Sequence, residues 1–152
     1  MPLAVRPLTP QRFGDLEAIF EAKGCSVARG CWCMYYRVSG KGDLTRPGPG
    51  ARTQRKKSAL QALAAKDPPP GLIGYRGMTP VGWVSLGPRA DYAKLAKSPV
   101  MRPVDEQPVW AIVCFVVPSA LALNVIGLTP GSISIVQAGS SVFAAITLIV
   151  LP

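Results

Sequence analysis

Two apolar stretches in the middle of the chain predict β-strands. Residues 81–86 (VGWVSL) form a short apolar run that Gly87 and Pro88 end, which is typical of a strand with one face covered. Residues 109–117 are uncharged and rich in β-branched and aromatic types, and this composition predicts a strand buried on both faces. A strand of that kind needs layers on both sides, so the remaining elements are expected to fold around these two.

The residues before this pair predict a strand and two helices. Residues 3–8 alternate around Arg6 and predict a first strand, and Thr9 and Pro10 begin a helix that Gly24 ends. The inner stripe of that helix is Phe13, Leu16, Ile19 and Phe20. Residues 51–66 predict a second helix. Its predicted inner stripe is Ala59, Leu60, Leu63 and Ala64, and its predicted solvent-facing residues are Arg52, Arg55, Lys56, Lys57 and Lys66.

The later residues predict a hairpin and a linking segment. Residues 71–76 (GLIGYR) predict a strand that pairs with residues 81–86 through a turn at residues 77–80. Residues 89–108 link this hairpin to the strand 109–117, with a short helix around Tyr92 and Leu95.

Several segments together resemble the GNAT superfamily of N-acetyltransferases. They are the opening amphipathic helix, the hairpin GLIGYRGMTPVGWVSLGPR, the strand PVWAIVCFVV and the segment GCWCMYYR. The resemblance covers residues 1–117. It implies an α/β (α+β) fold, with a mixed, largely antiparallel sheet and two N-terminal helices. It also implies acetyl transfer from acetyl-CoA to an amine on a small molecule or a peptide.

The resemblance also implies where the substrates bind. Phe115 and Val117 are expected near the arm of acetyl-CoA, and Trp32, Tyr35 and Tyr36 near the acceptor amine. Asp105 and Glu106 form the acidic pair before the strand 109–117; a carboxylate there either deprotonates the amine through water or belongs to a solvated loop. No catalytic residue is assigned.

One motif of the superfamily is absent. After Val117 the sequence PSALALNVIGLTPGSIS contains no Arg/Gln-x-x-Gly-x-Gly/Ala loop, the motif that holds the pyrophosphate of acetyl-CoA in that superfamily. The GNAT-like fold is therefore incomplete, and one expectation is an inactive protein, because the phosphate loop is absent. A non-catalytic remnant of the fold is the alternative.

The composition limits the kinds of partner that are expected to bind the protein. Seventeen Lys and Arg against eight Asp and Glu give a net charge of +9, which suits an anionic partner such as CoA. No nucleic-acid motif accompanies this charge, so no nucleic acid is predicted to bind. Cys25, Cys31 and Cys33 lie near one another, but four paired ligands are missing and no metal site is predicted. Free thiols in a reducing cytoplasm are expected.

The last part of the chain, residues 118–152, is an apolar tail, and residues 107–152 carry no charge at all. The stretches 109–128 and 132–151 match the thickness of a bilayer, so a membrane protein with a C-terminal helical hairpin, in membrane contact through residues 109–152, is one alternative. Buried strands or a helix in the tail are another, and a tail of foreign origin is a third. A homodimer or the tail is expected to cover the outer edge of the strand 109–117.

Overall fold

The computed structural model describes residues 2–38, 49–101, 103 and 105–118. A four-stranded antiparallel sheet with the order β1-β2-β3-β4 forms its centre, and helices cover one face of it. This confirms the predicted fold class, a mixed α and β fold with a largely antiparallel sheet. The strands are β1 (Leu3–Pro7), β2 (Gly71–Arg76), β3 (Thr79–Pro88) and β4 (Trp110–Val116).

Among the described residues, four α-helices and two single-turn 3₁₀ helices lie between these strands. The sequence predicts the first and third helices and the short helix of the linking segment, but α2 is additional. The α-helices are α1 (Phe13–Glu21), α2 (Ser26–Cys31), α3 (Pro49–Ala64) and α4 (Ala93–Lys97), and the 3₁₀ helices span Pro10–Arg12 and Arg89–Asp91.

The predicted stripe of α1 is its buried face. Leu16 and Phe20 are fully buried, and Phe13 and Ile19 nearly so, in one core cluster with Ile73 of β2. Burial of each such side chain stabilises the fold by about 1.5–3 kcal/mol. This stripe therefore fixes α1 on the sheet and decides which face of the sheet the helices cover.

The basic face of α3 is only partly solvated, unlike the prediction for it. Lys57 forms an ion pair with Glu17 of α1, with 2.8 Å between Nζ and Oε1, and Lys56 donates a hydrogen bond to the carbonyl oxygen of Gly30 at 3.0 Å. Leu60 is fully buried and Ala64 nearly so. These polar contacts hold α3 against α1 and α2, in addition to the contacts of its buried apolar side chains.

The hairpin of β2 and β3 confirms the predicted pairing but has a shorter turn. Arg76 pairs with Thr79, so the turn consists of Gly77 and Met78, and Gly77 has a φ of 62° that suits glycine. At the other end of the hairpin, a Cβ at Gly71 would lie 2.2 Å from the carbonyl oxygen of Val84. Only glycine fits there.

The strand β4 is less covered than the sequence predicts. It pairs with β3 alone among the described residues, so it is an edge strand there. Trp110 is 45% exposed and Phe115 59% exposed. The prediction of burial on both faces is therefore wrong for the described residues, because the described helices lie on one face of the sheet only.

The first of the two stretches that match a bilayer begins as this strand. Residues Trp110–Val116 are paired with β3, which is incompatible with one membrane helix over residues 109–128. In the part of the chain that the structure describes, no helix combines the length and the apolar character needed to cross a bilayer. Residues 119–152 lie outside the described residues, and the predictions for them stay predictions.

A second, smaller core cluster forms where the linking segment packs on β4. It consists of Tyr92, Leu95, Ala111 and Val113. Arg37 joins it to the loop after α2: its guanidinium donates to the hydroxyl of Tyr92 at 2.9 Å and forms an ion pair with Asp91 at 3.4 Å. This cluster holds the residues after α2 beside β4.

Candidate functional site

The backbone turns sharply after α2 and carries its side chains in two directions. Trp32 and Cys33 have φ values of 50° and 52°, in the left-handed region that residues other than glycine rarely adopt. The N–H of Trp32 still bonds the carbonyl oxygen of Ala28 at 2.7 Å, so this turn caps the helix. As a result Trp32 enters the core while the residues that follow approach β4.

Trp32 is part of the core, whereas the resemblance predicts that it contacts the acceptor amine. Only 3% of it is exposed, and its ring stacks on Phe13 at a centroid distance of 6.0 Å and tilts against Phe20 at 5.0 Å. A substrate at the surface would not reach this ring. The aromatic residues of α1 account for its position, since a large apolar side chain follows the most buried stripe available.

Tyr35 lies at the surface and Tyr36 is partly covered, and their role as substrate contacts stays a prediction. Their rings meet edge to face at 5.0 Å, and Lys94 of α4 places its Nζ 3.7 Å from the centre of the Tyr35 ring. Tyr35 is 54% exposed and Tyr36 half-buried. Burial raises the pKa of the Tyr36 phenol.

A shallow, open recess separates these tyrosines from β4, and we call it the thiol recess. It is lined by Cys31, Cys33, Tyr35, Tyr36, Val113 and Cys114. Cys33 is nearly buried, whereas Cys31 and Cys114 are half-buried. Its wall therefore consists of sulfur and carbon atoms, and no carboxylate of the described residues lines it.

The thiols of Cys33 and Cys114 interact with each other. A hydrogen bond with Cys114 and burial raise the pKa of Cys33 well above its usual value, and the same hydrogen bond lowers the pKa of Cys114. Of the two thiols, Cys114 donates a long hydrogen bond to the carbonyl oxygen of Phe115, with 4.0 Å between Sγ and oxygen. Trp83 has a buried N–H without a partner of good geometry, and the Cys33 sulfur, a weak acceptor, is its neighbour.

Phe115 and Val117 lie on the other face of the sheet from the thiol recess. Cys114 pairs with Ser85, which is fully buried under the helices, whereas Phe115 pairs with Val84. Since side chains alternate along a strand, Phe115 points away from Cys114. Val117 is 48% exposed and its side chain lies beside Gly82. The structure therefore brings Tyr35 and Tyr36 to β4, but not to the side chains of Phe115 and Val117.

Asp105 and Glu106 are exposed, and Asp105 accepts a hydrogen bond from the N–H of Gln107 at 3.0 Å. This contact is typical of a solvated turn and favours the second interpretation of the acidic pair. Neither residue lines the thiol recess. They lie four or more positions before the first residue of β4.

The structure groups the cysteines differently from their spacing in the sequence. Cys25, Cys31 and Cys33 are close in sequence and Cys114 is far from them, whereas Cys114 lines the recess with Cys31 and Cys33, and Cys25 is buried in the main core. The pairing of β4 with β3 brings Cys114 under the helices, and no local sequence pattern predicts that pairing. Within the described residues no three Cys, Asp or Glu side chains are grouped so that they could hold a metal ion.

Comparisons with known proteins identify no relative. No family model, no curated protein and no solved structure matches this chain. The function has to be inferred from the order of the elements and the geometry at β4.

Proposed function

We propose that residues 1–117 act as the amino-terminal part of an N-acetyltransferase of the GNAT type, which transfers an acetyl group from acetyl-CoA to an amine acceptor. The observation that carries the proposal is the free outer edge of β4 next to Tyr35 and Tyr36. Among the described residues no strand pairs with that edge, and the thiol recess opens beside the same strand.

A free strand edge suits the arm of acetyl-CoA. An edge strand presents unpaired N–H and C=O groups, and an extended chain with amide groups binds them as an added strand would. The pantetheine arm is such a chain. Residues 114–117 are at the end of β4, where Phe115 and Val117 offer apolar surface on the face opposite the recess.

The charge of the protein supports an anionic co-substrate. A net charge of +9 raises the local concentration of a ligand that carries phosphates, and the attraction weakens with salt. On the acceptor side, the rings of Tyr35 and Tyr36 offer apolar and cation–π contacts to the body of a small-molecule or peptide amine.

The deprotonation of the acceptor has no assigned base. The chain contains no histidine, and the carboxylates of Asp105 and Glu106 are solvent-exposed and outside the recess. An amine that is already partly neutral at the working pH is therefore the expected acceptor, since water can remove its proton.

One observation favours a second candidate, a non-catalytic remnant of the same fold. The wall of the recess consists of sulfur and carbon atoms among the described residues, and the phosphate-binding motif is absent after Val117. Such a protein would keep the sheet and helices but bind acetyl-CoA poorly or not at all.

Calorimetric titration of the full-length chain with acetyl-CoA at low and moderate salt tests the proposal. We expect saturable binding that weakens as salt rises, and a lower affinity for Phe115→Ala. Tyr35→Ala is expected to raise the KM for the amine in a mass-spectrometric assay of acetylated product, with acetyl-CoA affinity unchanged. Met78→Ala is the matched control, because Met78 is 93% exposed in the hairpin turn. Absence of binding by protein with native circular dichroism would overturn the proposal and leave the remnant.

A further inference from the structure

The thiol recess brings two cysteines together from distant parts of the chain. Cys33 follows α2 and Cys114 belongs to β4, so 81 positions of sequence separate them. The left-handed backbone at Trp32 and Cys33 places the Cys33 side chain against the strand. Left-handed conformations at two successive residues other than glycine cost free energy, and they persist only where the surroundings determine them.

The two sulfurs differ in access and in acidity. Cys33 is 4% exposed, whereas Cys114 is half-buried and lines the recess. A hydrogen bond with Cys33 lowers the pKa of Cys114, although burial opposes this. Because the thiolate is the nucleophile, Cys114 is the sulfur that reacts first with a small oxidant that enters the recess.

We propose that Cys33 and Cys114 form a reversible disulfide when the protein meets hydrogen peroxide, and that the thiol recess is the site of this modification. The bond ties the loop after α2 to β4. It fixes the distance between Tyr35, Tyr36 and the strand. The inference rests on the arrangement of the thiols and is independent of the proposed acetyl transfer.

The reaction has two steps. In the first, the Cys114 thiolate attacks one peroxide oxygen, the O–O bond breaks, and the leaving hydroxide takes up a proton, which gives a sulfenic acid and one water. In the second, the sulfur of Cys33 attacks the sulfur of Cys114, the S–O bond breaks, and the leaving hydroxide takes the Cys33 proton as a second water. Two thiols are oxidised and one peroxide is reduced to two waters.

Cys31 and Cys25 are weaker partners for Cys114. Cys31 lines the recess, but Cys33 belongs to the buried core cluster against which Cys114 packs. Only one residue separates Cys31 from Cys33, so a bond between them would close a very small ring with unfavourable geometry. Cys25 lies in the main core, and burial raises the pKa of its thiol, which makes it unreactive.

Peptide mapping of the full-length chain tests the proposal. The reduced protein is treated with hydrogen peroxide, free thiols are alkylated under denaturing conditions, and the product is digested with trypsin and chymotrypsin. Because Trp32 and Phe115 are chymotrypsin sites, the digest separates all four cysteines, in the peptides GCSVAR, GCW, CMY and AIVCF. We expect CMY and AIVCF to appear as one cross-linked species, two hydrogen atoms lighter than the sum, with GCSVAR and GCW fully alkylated. Dithiothreitol should restore four alkylated peptides.

Two variants sharpen the result. In Cys33→Ser we expect a sulfenic acid on Cys114 that dimedone captures, and no disulfide; in Cys25→Ser, the matched control, the cross-link should form as in the wild type. A cross-link that involves Cys31, an irreversible sulfinic acid without any cross-link, or alkylation of both Cys33 and Cys114 after peroxide would each overturn the proposal. If Cys33→Ser does not fold, the peptide map of the wild-type protein still tests the proposed disulfide.

Discussion

At the scale of single residues, Tyr75 shows how burial changes the chemistry of one side chain. It lies on β2 with 7% of its surface exposed, and its hydroxyl donates to Asp15 Oδ2 of α1 at 2.6 Å. Burial, followed by the hydrogen bond to Asp15, raises the pKa of Tyr75 to about 12. The pair links the first helix to the sheet next to the main core.

We expect Tyr75→Phe to lower the free energy of unfolding by about 1–2 kcal/mol at neutral pH, because one hydrogen bond to a charged group is lost. The folded-state pKa is above the unfolded value, so this stabilisation is complete below pH 10 and is lost as the pH rises from 10 to 12. Urea denaturation of both proteins at several pH values should show the difference shrinking over that window. Tyr35→Phe, which removes an exposed hydroxyl, should change stability by less than about 0.5 kcal/mol. A difference between wild type and Tyr75→Phe that is constant up to pH 12 would contradict the explanation.

At the scale of elements, the hairpin of β2 and β3 depends on a glycine for space. A Cβ at Gly71 would approach the carbonyl oxygen of Val84 to 2.2 Å and the Trp83 ring to 2.4 Å. Gly14 in α1 has nothing within 4 Å of the same position. Replacing these two glycines by alanine should therefore change the stability in opposite directions.

Gly71→Ala is expected to lower the free energy of unfolding by about 3 kcal/mol or more, because backbone and a buried ring must both shift. Gly14→Ala should instead stabilise the protein by about 0.5–1 kcal/mol, since alanine loses less backbone freedom in a helix. Chemical denaturation of the two variants measures both effects. Equal effects of the two substitutions would show that the close approach at Gly71 is absent.

The attachment of α3 rests on one large buried side chain. We expect Leu60→Ala to lower the free energy of unfolding by about 2–4 kcal/mol, and Leu63→Ala, at a half-buried position of the same helix, by less. Hydrogen exchange should show faster exchange of the α3 amides in Leu60→Ala than in Leu63→Ala. Unchanged protection of these amides in Leu60→Ala would mean that the contacts of Lys56 and Lys57 hold the helix without it.

The elements that the sequence predicts are those with a local signal. The spacing of the apolar residues from Phe13 to Phe20 predicts the buried face of α1, and the glycine-bounded apolar runs predict the hairpin of β2 and β3. The helix α2 (SVARGC) is too short to show a period, and the left-handed cap at Trp32 follows from its packing on Phe13 and Phe20. That long-range packing is why a tryptophan expected at the acceptor lies in the core.

At the scale of the whole molecule, the sheet has two unequal faces. The helices cover one face, and the other exposes Leu3, Val5, Phe115 and Val117 among the described residues. The composition of the strand 109–117 predicts burial on both faces because it reports only the apolar character of the side chains. Which neighbours a strand has depends on the pairing of distant segments, and this also explains why the neighbourhood of Cys33 and Cys114 has no signature in the sequence.

The net charge of +9 is a property of the whole molecule and affects its stability. Like charges repel one another more strongly in the compact state than in the unfolded chain, and salt screens this repulsion. The helix α3 has a high density of positive charge. Its sixteen residues include Arg52, Arg55, Lys56 and Lys57 and no acidic residue. We therefore expect the urea midpoint to rise as NaCl increases from low to physiological concentration.

Replacing two exposed glutamines of α3 tests this explanation directly. The double variant Gln54→Glu and Gln61→Glu lowers the net charge by two without touching a buried side chain. It should have a higher urea midpoint than the wild type at low salt and a smaller rise with NaCl, whereas Gln54→Ala and Gln61→Ala should keep the wild-type slope. A midpoint that falls with salt in the wild type would instead mean that attractive pairs such as Lys57 with Glu17 outweigh the repulsion, because screening weakens attraction and repulsion alike.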